Sequence, residues 1–343
     1  MYNRAVSAYV LPVVYAVLQL ILLIAIGFIT RRSGKFDDAF FRSLSRFVIR
    51  VVLPIYFIVR VGQINLGDVG SLFVMPIAAV LVIALGLGIS VLMFRFLPFA
   101  GSDRRAGIAL STFGNSGYLP LTLGAVLPLS IPAIAEQIDV GLPPILIAAY
   151  VFAFSPLLWS IGNYVVTQPG DRRPQFRVKD LASPPLIGIA IGVVVSLLGI
   201  VRDDGTPIEP LVHVFAALDM LSAATLPLAL IVLGALIGGI KVSRTELAVT
   251  LRMSVAVSAI RFAVLPAVFW GLYFLLRSRI TIPPAVLFIL FLEFHIPPAT
   301  NLSLMAGQAE VNTHHTGVIL LISHIVYLVI MPAYLLLYLA VTA

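Results

Sequence analysis

Long, uninterrupted apolar runs fill most of the chain, and short charged or Gly/Pro-rich stretches separate them. Because a membrane span needs about 20 mostly apolar residues, each run predicts one transmembrane helix. The apolar positions are continuous and do not alternate, which disfavours a β-barrel and predicts an all-α membrane protein. The ten predicted spans are 8–30, 41–62, 70–96, 105–128, 143–167, 184–201, 211–239, 247–275, 284–307 and 316–340.

The composition agrees with a protein that faces lipid. Hydrophobic residues make up 60% of the 343 residues and charged residues only 11%, whereas soluble domains are about one quarter charged. The first run is longer than the apolar segment of a signal peptide and stops at Arg31-Arg32, so we predict a first span and not a cleaved leader. The chain has no cysteine, which excludes disulfides and thiolate metal sites.

The net charge of +7 does not indicate nucleic-acid binding, because the basic residues fall in alternate connections. Arginines and lysines follow the first run, fill the central connection and recur after the seventh run, while acidic residues dominate connections between them. Lys and Arg are retained on the cytoplasmic side of membranes. We therefore predict a multi-pass protein of the cell (inner) membrane, with both termini extracytoplasmic and no nucleic-acid partner.

The order of spans predicts an internal repeat. Five predicted spans precede the central connection and five follow it, so the two halves must have opposite orientations. Leu-Pro pairs at Pro54 and Pro227 occupy corresponding places in the two halves. The predicted organisation is a first five-helix repeat over 1–168, a cytoplasmic linker over 169–181 and a second, inverted repeat over 182–343.

The fourth and ninth predicted spans combine helix breakers with hydrogen-bonding side chains. Asn115 and Pro120 lie in the fourth, and Pro297, Pro298 and Asn301 lie in the ninth. Backbone groups freed by such breaks are tolerated only where they are buried in protein or line a cavity, and half-helix N-termini attract anions. Two broken helices at corresponding places of a repeat indicate a transporter site. Two proline-kinked helices that only pack small residues are the alternative.

Asp219, Arg261 and Glu293 are ionisable residues expected at membrane depth, where such groups are functional candidates by default. Glu293 and His295 lie next to the second break and are candidates for holding or passing a proton. Asp219 is a third coupling candidate. Two alternatives stay open: Glu293 lies at the headgroup level, and Asp219 pairs with a basic side chain of the other half.

Other polar residues are predicted to have structural roles and not to bind substrate or metal. Arg42, Arg46 and Arg50 form one helix stripe, which is more typical of contact with anionic lipid than of a substrate ligand. His213 and His314-His315 are predicted loop or interface residues and not metal ligands. The sequence has no nucleophile–base motif, phosphate loop or metal-spaced helix pair. Neither an enzyme nor a metal or organic cofactor is predicted, and coupling to H⁺ or Na⁺ is left open.

Six different short motifs are distributed along nearly the whole chain. Their order and number are more specific than any single motif. They are Arg46-Phe47-Val48 before Leu53-Pro54, Asn115-Ser116-Gly117-Tyr118-Leu119-Pro120-Leu121, Ser183-Pro184-Pro185 with Gly188, Leu226-Pro227-Leu228-Ala229 with Gly234, Arg261-Phe262 before Leu265-Pro266-Ala267, and Pro297-Pro298-Ala299-Thr300-Asn301. Together they resemble the auxin efflux carrier family and its bacterial, PIN-like members, within the bile-acid/arsenite/auxin carrier superfamily.

This resemblance implies a scaffold domain, a transport domain and an elevator-type motion, often in a homodimer. It implies small organic-anion substrates, such as carboxylates or auxin-like acids, at the crossing of broken helices four and nine. One departure is the short central connection, 167–180, where plant members carry a long loop. The substrate-binding residues so implied are Asn115, Ser116, Gly117, Pro120, Pro297, Pro298, Thr300 and Asn301.

Three functions fit this sequence. The first is a carrier of small organic anions in the lipid bilayer. The second is a sodium-coupled symporter of the bile-acid-carrier type, which would bind Na⁺ through unwound backbone carbonyls near the same crossing. The third is a membrane receptor or scaffold without turnover. Flux into proteoliposomes separates the third from the others, and replacing Na⁺ with K⁺ separates the first two.

Overall fold

The computed structural model describes residues 2–63, 72–167, 184–201, 207–239, 247–308 and 313–342. These residues are almost entirely helical, and they form no strand beyond two isolated bridges, so the all-α prediction is confirmed for them. The predicted linker, 169–181, lies outside them. The α-helices are α1 Tyr2–Arg32, α2 Asp38–Phe47, α3 Leu53–Gly62, α4 Val74–Phe96, α5 Gly101–Thr112, α6 Tyr118–Ser130, α7 Pro132–Ala135, α8 Leu142–Leu157, α9 Asn163–Thr167, α10 Pro184–Leu197, α11 Val212–Ala223, α12 Thr225–Gly238, α13 Leu247–Ala259, α14 Leu265–Leu276, α15 Pro284–His295, α16 Asn301–Gln308 and α17 Thr313–Thr342.

Six stretches of the described chain are long and apolar enough to cross a membrane: Val13–Arg32, Val74–Phe96, Leu142–Val166, Val212–Gly238, Ala248–Leu276 and His315–Thr342. Each falls within a predicted span or overlaps one. Of the other four predicted spans, the sixth is the 14-residue helix α10. Spans four and nine are each two helices with a break between them, and the second span begins in α2, whose Arg42 and Arg46 are exposed. The count of ten spans remains a prediction.

Three π-helical turns continue the helices: Val48–Val52, Leu158–Gly162 and Ile260–Val264. The first and third end directly before a Leu-Pro pair, at Pro54 and Pro266. Proline lacks an N–H group and its ring crowds the preceding turn, and a wider turn accommodates that crowding without ending the helix. The third π turn also carries Arg261, which it places in the protein interior.

Glycines bring helices of the two halves into close contact. A Cβ at Gly27 of α1 would overlap the Ile231 carbonyl of α12, and one at Gly234 of α12 would overlap the Ile24 carbonyl of α1. In the same way, a Cβ at Gly188 of α10 would overlap the backbone of Pro54 in α3. Small residues allow helix backbones to approach in this way in membranes. The first predicted span therefore packs on the seventh, and the sixth on the second.

Candidate functional site: the crossing of two broken helices

Two helices break in the protein interior. The first break follows α5, where Phe113 takes an extended conformation with φ −94° and ψ 111°, and the chain becomes helical again at Tyr118. The second follows α15, where Ile296 is extended with φ −79° and ψ 154°, and α16 begins at Asn301. Phe113 and Ile296 are fully buried. The predicted interruptions of spans four and nine are therefore present and lie inside the protein.

The two unwound stretches run antiparallel and pair with each other. The Asn115 N–H donates to the Pro297 carbonyl at 2.8 Å, and the Ala299 N–H donates to the Phe113 carbonyl at 2.9 Å. Between them Gly114 lies opposite Pro298 as an isolated bridge. Each break thus supplies partners for backbone groups that the other break has freed, which a membrane interior requires.

Arg261 binds the ends of both preceding half-helices. Its Nε and Nη2 donate to the Ile296 carbonyl at 3.0 and 2.5 Å, and its Nη1 lies 3.4 and 3.3 Å from the carbonyls of Ser111 and Thr112. The C-terminal end of a helix carries partial negative charge. A guanidinium that is 2% exposed therefore neutralises two converging helix ends at once.

Gly114 is required by this arrangement. A Cβ at this position would lie 2.5 Å from Nη2 of Arg261 and 2.8 Å from the Ile296 side chain. Both neighbours are themselves buried, so neither has room to move away. The glycine of the fourth-span motif thus makes space for the charge that joins the two breaks.

Several polar atoms at the crossing have no partner in the described part of the protein. They include Nδ2 of Asn115 and the hydroxyl oxygens of Ser111 and Thr112. Asn115 is 5% exposed, and its amide nitrogen is a donor that the protein leaves unused. Buried polar groups are nearly always paired, so an unpaired group marks a place for water or a ligand.

The other predicted substrate residues surround this point. Ser116, Pro120, Pro297 and Pro298 are buried. Gly117 is exposed at the residue before α6, and Thr300 and Asn301 are half-buried at the start of α16. The structure therefore brings both stretches to one place, together with the N-terminal ends of two half-helices.

Glu293 lies in the last turn of α15 and is 2% exposed. Neither carboxylate oxygen has a hydrogen-bond partner of ordinary geometry among the described residues. The Ser116 hydroxyl and the Arg261 guanidinium interact with it, and its charge also acts on the hydroxyls of Tyr150 and Tyr327. Glu293 is thus buried inside the protein, three residues before the second break.

The other two coupling candidates have different surroundings. His295 is 3% exposed, and its ring packs against Phe291 and Tyr334 at centroid distances of 4.4 and 4.6 Å. Asp219 lies away from the crossing on α11, and its Oδ1 is 3.5 Å from Nη2 of Arg60. Both side chains of this ion pair are partly exposed, at 38% for Arg60 and 51% for Asp219. Asp219 in the second half is therefore paired with Arg60 in the first half, as one of the two alternatives for Asp219 predicts.

A cavity of about 260 Å³ lies beside α6, at Thr122 and Val126, at least one helical turn after the first break. Its walls come from α1, α6 and the α11–α12 segment, and they are mostly apolar with two polar side chains, Gln19 and Thr122. The cavity therefore lies between α6, which starts at the crossing, and the α1–α12 pair.

The sequence did not show what Arg261 does. The sequence indicates only that Arg261 is a charged residue in an apolar span. The carbonyls that Arg261 binds lie 35 and 150 residues away along the chain. Tyr150 was missed altogether, since a tyrosine within an apolar span gives no signal of its own. His315, predicted to be a loop or interface residue, contacts the neighbouring helix: its Nδ1 is 2.6 Å from Oγ1 of Thr250.

Apolar helices that hold two paired breaks, with unpaired polar groups beside half-helix N-termini, define the class of membrane transporters. Comparison with known families agrees with this assignment. The model of a family described as "Membrane transport protein" matches residues 12–130 and 172–335. The chain belongs to this family, the auxin efflux carrier family that its motifs resemble.

The chain is also similar to Protein PIN-LIKES 7 of Arabidopsis thaliana, with 30% identity over 156 residues. The aligned stretch covers 43% of this chain and 38% of the plant protein. The similarity therefore spans well under half of that relative.

Proposed function

We propose that the protein is a secondary active or facilitative transporter that moves small organic anions across the cell membrane. The substrate would bind at the crossing of the two broken helices. The observation that carries this proposal is the unused amide donor of Asn115, which is buried beside the bridge between the two breaks. A donor in that position, together with two half-helix N-termini, suits a carboxylate.

The cavity supports a substrate with an apolar body and one polar end. Its apolar walls would hold the body, for example the ring of an auxin-like acid, and Gln19 would supply a polar contact. Ligand sites usually combine these two features. Carboxylates with an apolar portion are therefore favoured over dicarboxylates with none.

An elevator-type, alternating-access motion is the mechanism that the packing supports best. Arg261 and the backbone bridge join both broken helices into one unit, which would move as a body. The glycine-mediated pairs α1–α12 and α3–α10 would form the second unit, and the cavity lies where α6 meets α1 and α12. The reciprocal packing of these pairs also supports ten spans in two inverted repeats, since such symmetry exchanges equivalent helices between halves.

A sodium-coupled symporter is less well supported. Such a carrier would bind Na⁺ through unwound carbonyls near the crossing. In this protein the carbonyls of Ser111, Thr112 and Ile296 already accept hydrogen bonds from Arg261. These three carbonyls are therefore already bound by a fixed positive charge, which disfavours a second cation beside them.

The test is binding followed by flux. The purified protein would be screened by thermal shift against benzoate, indole-3-acetate, malonate and succinate, since a ligand at 100 times its Kd stabilises by about 2.7 kcal/mol. Ligands that raise the melting temperature would then be used as radiolabelled substrates in proteoliposomes, in Na⁺ and in K⁺ buffers. We expect uptake that is equal in the two buffers. Binding without uptake would support a receptor, and uptake only in Na⁺ would support the symporter.

A further inference from the structure

A file of buried and half-buried hydrogen-bonding side chains lies along the contact between α13 and α17, outside the crossing itself. It begins where both helices begin, with Oγ1 of Thr250 2.6 Å from Nδ1 of His315. Two turns further along α13, Oγ of Ser258 lies 3.5 Å from Oγ of Ser323. Ser254 lies between these levels on α13, is 1% exposed and donates to the Thr250 carbonyl. The three α13 residues are four apart and share one face of the helix.

Two further polar residues, His324 and Tyr327, follow Ser323 on α17. His324, 3% exposed, has its Nδ1 2.8 Å from the Leu320 carbonyl. A carbonyl only accepts hydrogen bonds, so Nδ1 carries the proton and Nε2 is the bare nitrogen. That Nε2 has no partner among the described residues. Tyr327 follows one turn later, 3% exposed, and is the residue of α17 that feels the charge of Glu293.

The file has the length needed to connect the membrane surface with its middle. From Thr250 to Arg261 the helix rises by about 16 Å at 1.5 Å per residue, which is roughly half of the 30 Å hydrocarbon core. One end lies where α13 and α17 begin, and the last member, Tyr327, interacts electrostatically with Glu293. An ionised carboxylate at that depth without a partner is costly, so a route by which it can take up a proton has a clear use.

The charged groups around Glu293 leave it available for a proton. Arg261 acts on it electrostatically but donates its hydrogen bonds to carbonyls, and none of the ion pairs of the described residues joins the two. Tyr150 and Tyr327 also interact with it electrostatically, and His295 is a titratable residue two positions further along α15. The remaining elements packed against α15, namely α4, α6 and α14, contain no acidic residue, and their one basic residue, Arg95, lies in the last turn of α4.

We propose that Glu293 is the proton-binding site of the transporter and that protons reach it along the file Thr250–His315, Ser254, Ser258–Ser323, His324 and Tyr327. In each cycle the Glu293 carboxylate takes up one proton from water at the end where α13 and α17 begin, and becomes a neutral carboxylic acid. It returns that proton to water when the transport unit has moved. This inference rests on the proposed function, because the proton would accompany the organic anion.

The first experiment follows the proton without any substrate. The full-length protein in lipid nanodiscs would be subjected to a rapid drop in pH, and the C=O band of a protonated carboxyl would be followed by infrared spectroscopy. We expect a band that Glu293→Gln removes. Ser258→Ala and Ser323→Ala, combined, should slow its appearance about tenfold or more, which corresponds to about 1.4 kcal/mol on the barrier. Ser90→Ala removes a hydroxyl on α4 that is as buried as that of Ser323, and it should leave the rate unchanged.

The alternative is that these hydroxyls only hold α13 and α17 together. The double variant would then lower the melting temperature and leave the rate of protonation at the wild-type value. That result, or the absence of a Glu293 band at any pH, would overturn the proposal. An equal slowing by Ser90→Ala would also overturn it, because the effect would not be specific to the file.

Uptake in proteoliposomes under an imposed pH gradient separates this inference from the proposed function. Glu293→Gln should remove the response of indole-3-acetate uptake to the gradient, while the ligand still shifts the melting temperature. Uptake of the carboxylate with no pH response and no Glu293 band would leave the transporter function standing and reject the proton site. A Glu293 band with file-dependent kinetics but no carboxylate flux would support the proton site and reject the proposed function.

Discussion

The backbone and the side chain of Asn115 have different roles. Its backbone N–H holds the bridge to Pro297, whereas Nδ2 of its side chain is buried without a protein partner. The side chain is therefore not needed for the crossing to form. Asn301 begins α16 on the other side of the crossing and is half-buried. This arrangement separates the effects of substitution on folding and on binding.

We expect Asn115→Ala to weaken binding of a carboxylate ligand by about 10- to 150-fold, since a hydrogen bond to a charged group contributes about 1.5–3 kcal/mol. Asn301→Ala should act in the same direction. The melting temperature of ligand-free Asn115→Ala should stay close to that of the wild type, because no protein hydrogen bond is lost. Normal affinity in both variants, measured by isothermal titration calorimetry, would remove the crossing as the substrate site.

Arg261 has the opposite role, since its hydrogen bonds all go to the protein. Arg261→Met should destabilise the protein by about 1–3 kcal/mol for each carbonyl left without a donor. Arg261→Lys should recover only part of this loss, because a compact ammonium cannot donate to both helix ends. Arg252→Met, at an exposed position of α13, is the matched control and should change stability by no more than about 0.5 kcal/mol. Denaturant unfolding in detergent measures all three.

At the scale of helices, the contacts that join the two halves depend on small residues. Gly27 and Gly234 allow α1 and α12 to approach until each backbone lies against the other, and Gly188 does the same for α10 on α3. The breaks in spans four and nine also join the two halves. They cost helical hydrogen bonds, and the pairing of the two stretches recovers part of that cost.

Gly234→Ala should destabilise the protein by about 1–3 kcal/mol, the usual cost of overpacking a close contact. Its control is Gly88→Ala in α4, where no atom lies within 4 Å of the added Cβ. That variant should be neutral or more stable by about 0.5–1 kcal/mol, because alanine favours the helix over glycine. Equal melting temperatures for the two variants would show that α1 and α12 are not in close contact.

At the scale of the whole molecule, the distribution of charge predicts its orientation in the membrane. The central connection contains Arg172, Arg173, Arg177 and Lys179, and the connection after the sixth predicted span contains Asp203 and Asp204. Retention of basic connections in the cytoplasm places these two on opposite sides.

The absence of native cysteine makes this prediction directly measurable. Gln175→Cys should be protected from a membrane-impermeant maleimide in intact cells and should react after the cells are opened. Asp203→Cys should react in intact cells. The reverse pattern would invert the topology, and labelling of both positions in intact cells would mean that an odd number of spans does not separate them.

Much of the architecture could be predicted because its signals are local. An apolar run of sufficient length must become a helix in a membrane, whatever the rest of the chain does, and a cluster of Gly or Pro with polar residues within it favours a break. A single proline is not sufficient, since Pro128, Pro156 and Pro332 lie inside helices. The breaks at Asn115 and Pro297 were therefore visible in the sequence, as was the charge at Glu293. The division of spans four and nine into separate helices follows from the same residues.

The sequence by itself determined that this protein is a bundle of membrane helices with two breaks, because hydrophobicity and backbone restriction act residue by residue. Only the tertiary structure decided what those breaks do. The pairing of Asn115 with Pro297 and the bonds from Arg261 to Ser111 and Ile296 join positions far apart in the chain. So does the contact of Ser258 with Ser323, 65 residues away. Such partners are set by how helices pack, and packing depends on the whole set of contacts and not on any single segment.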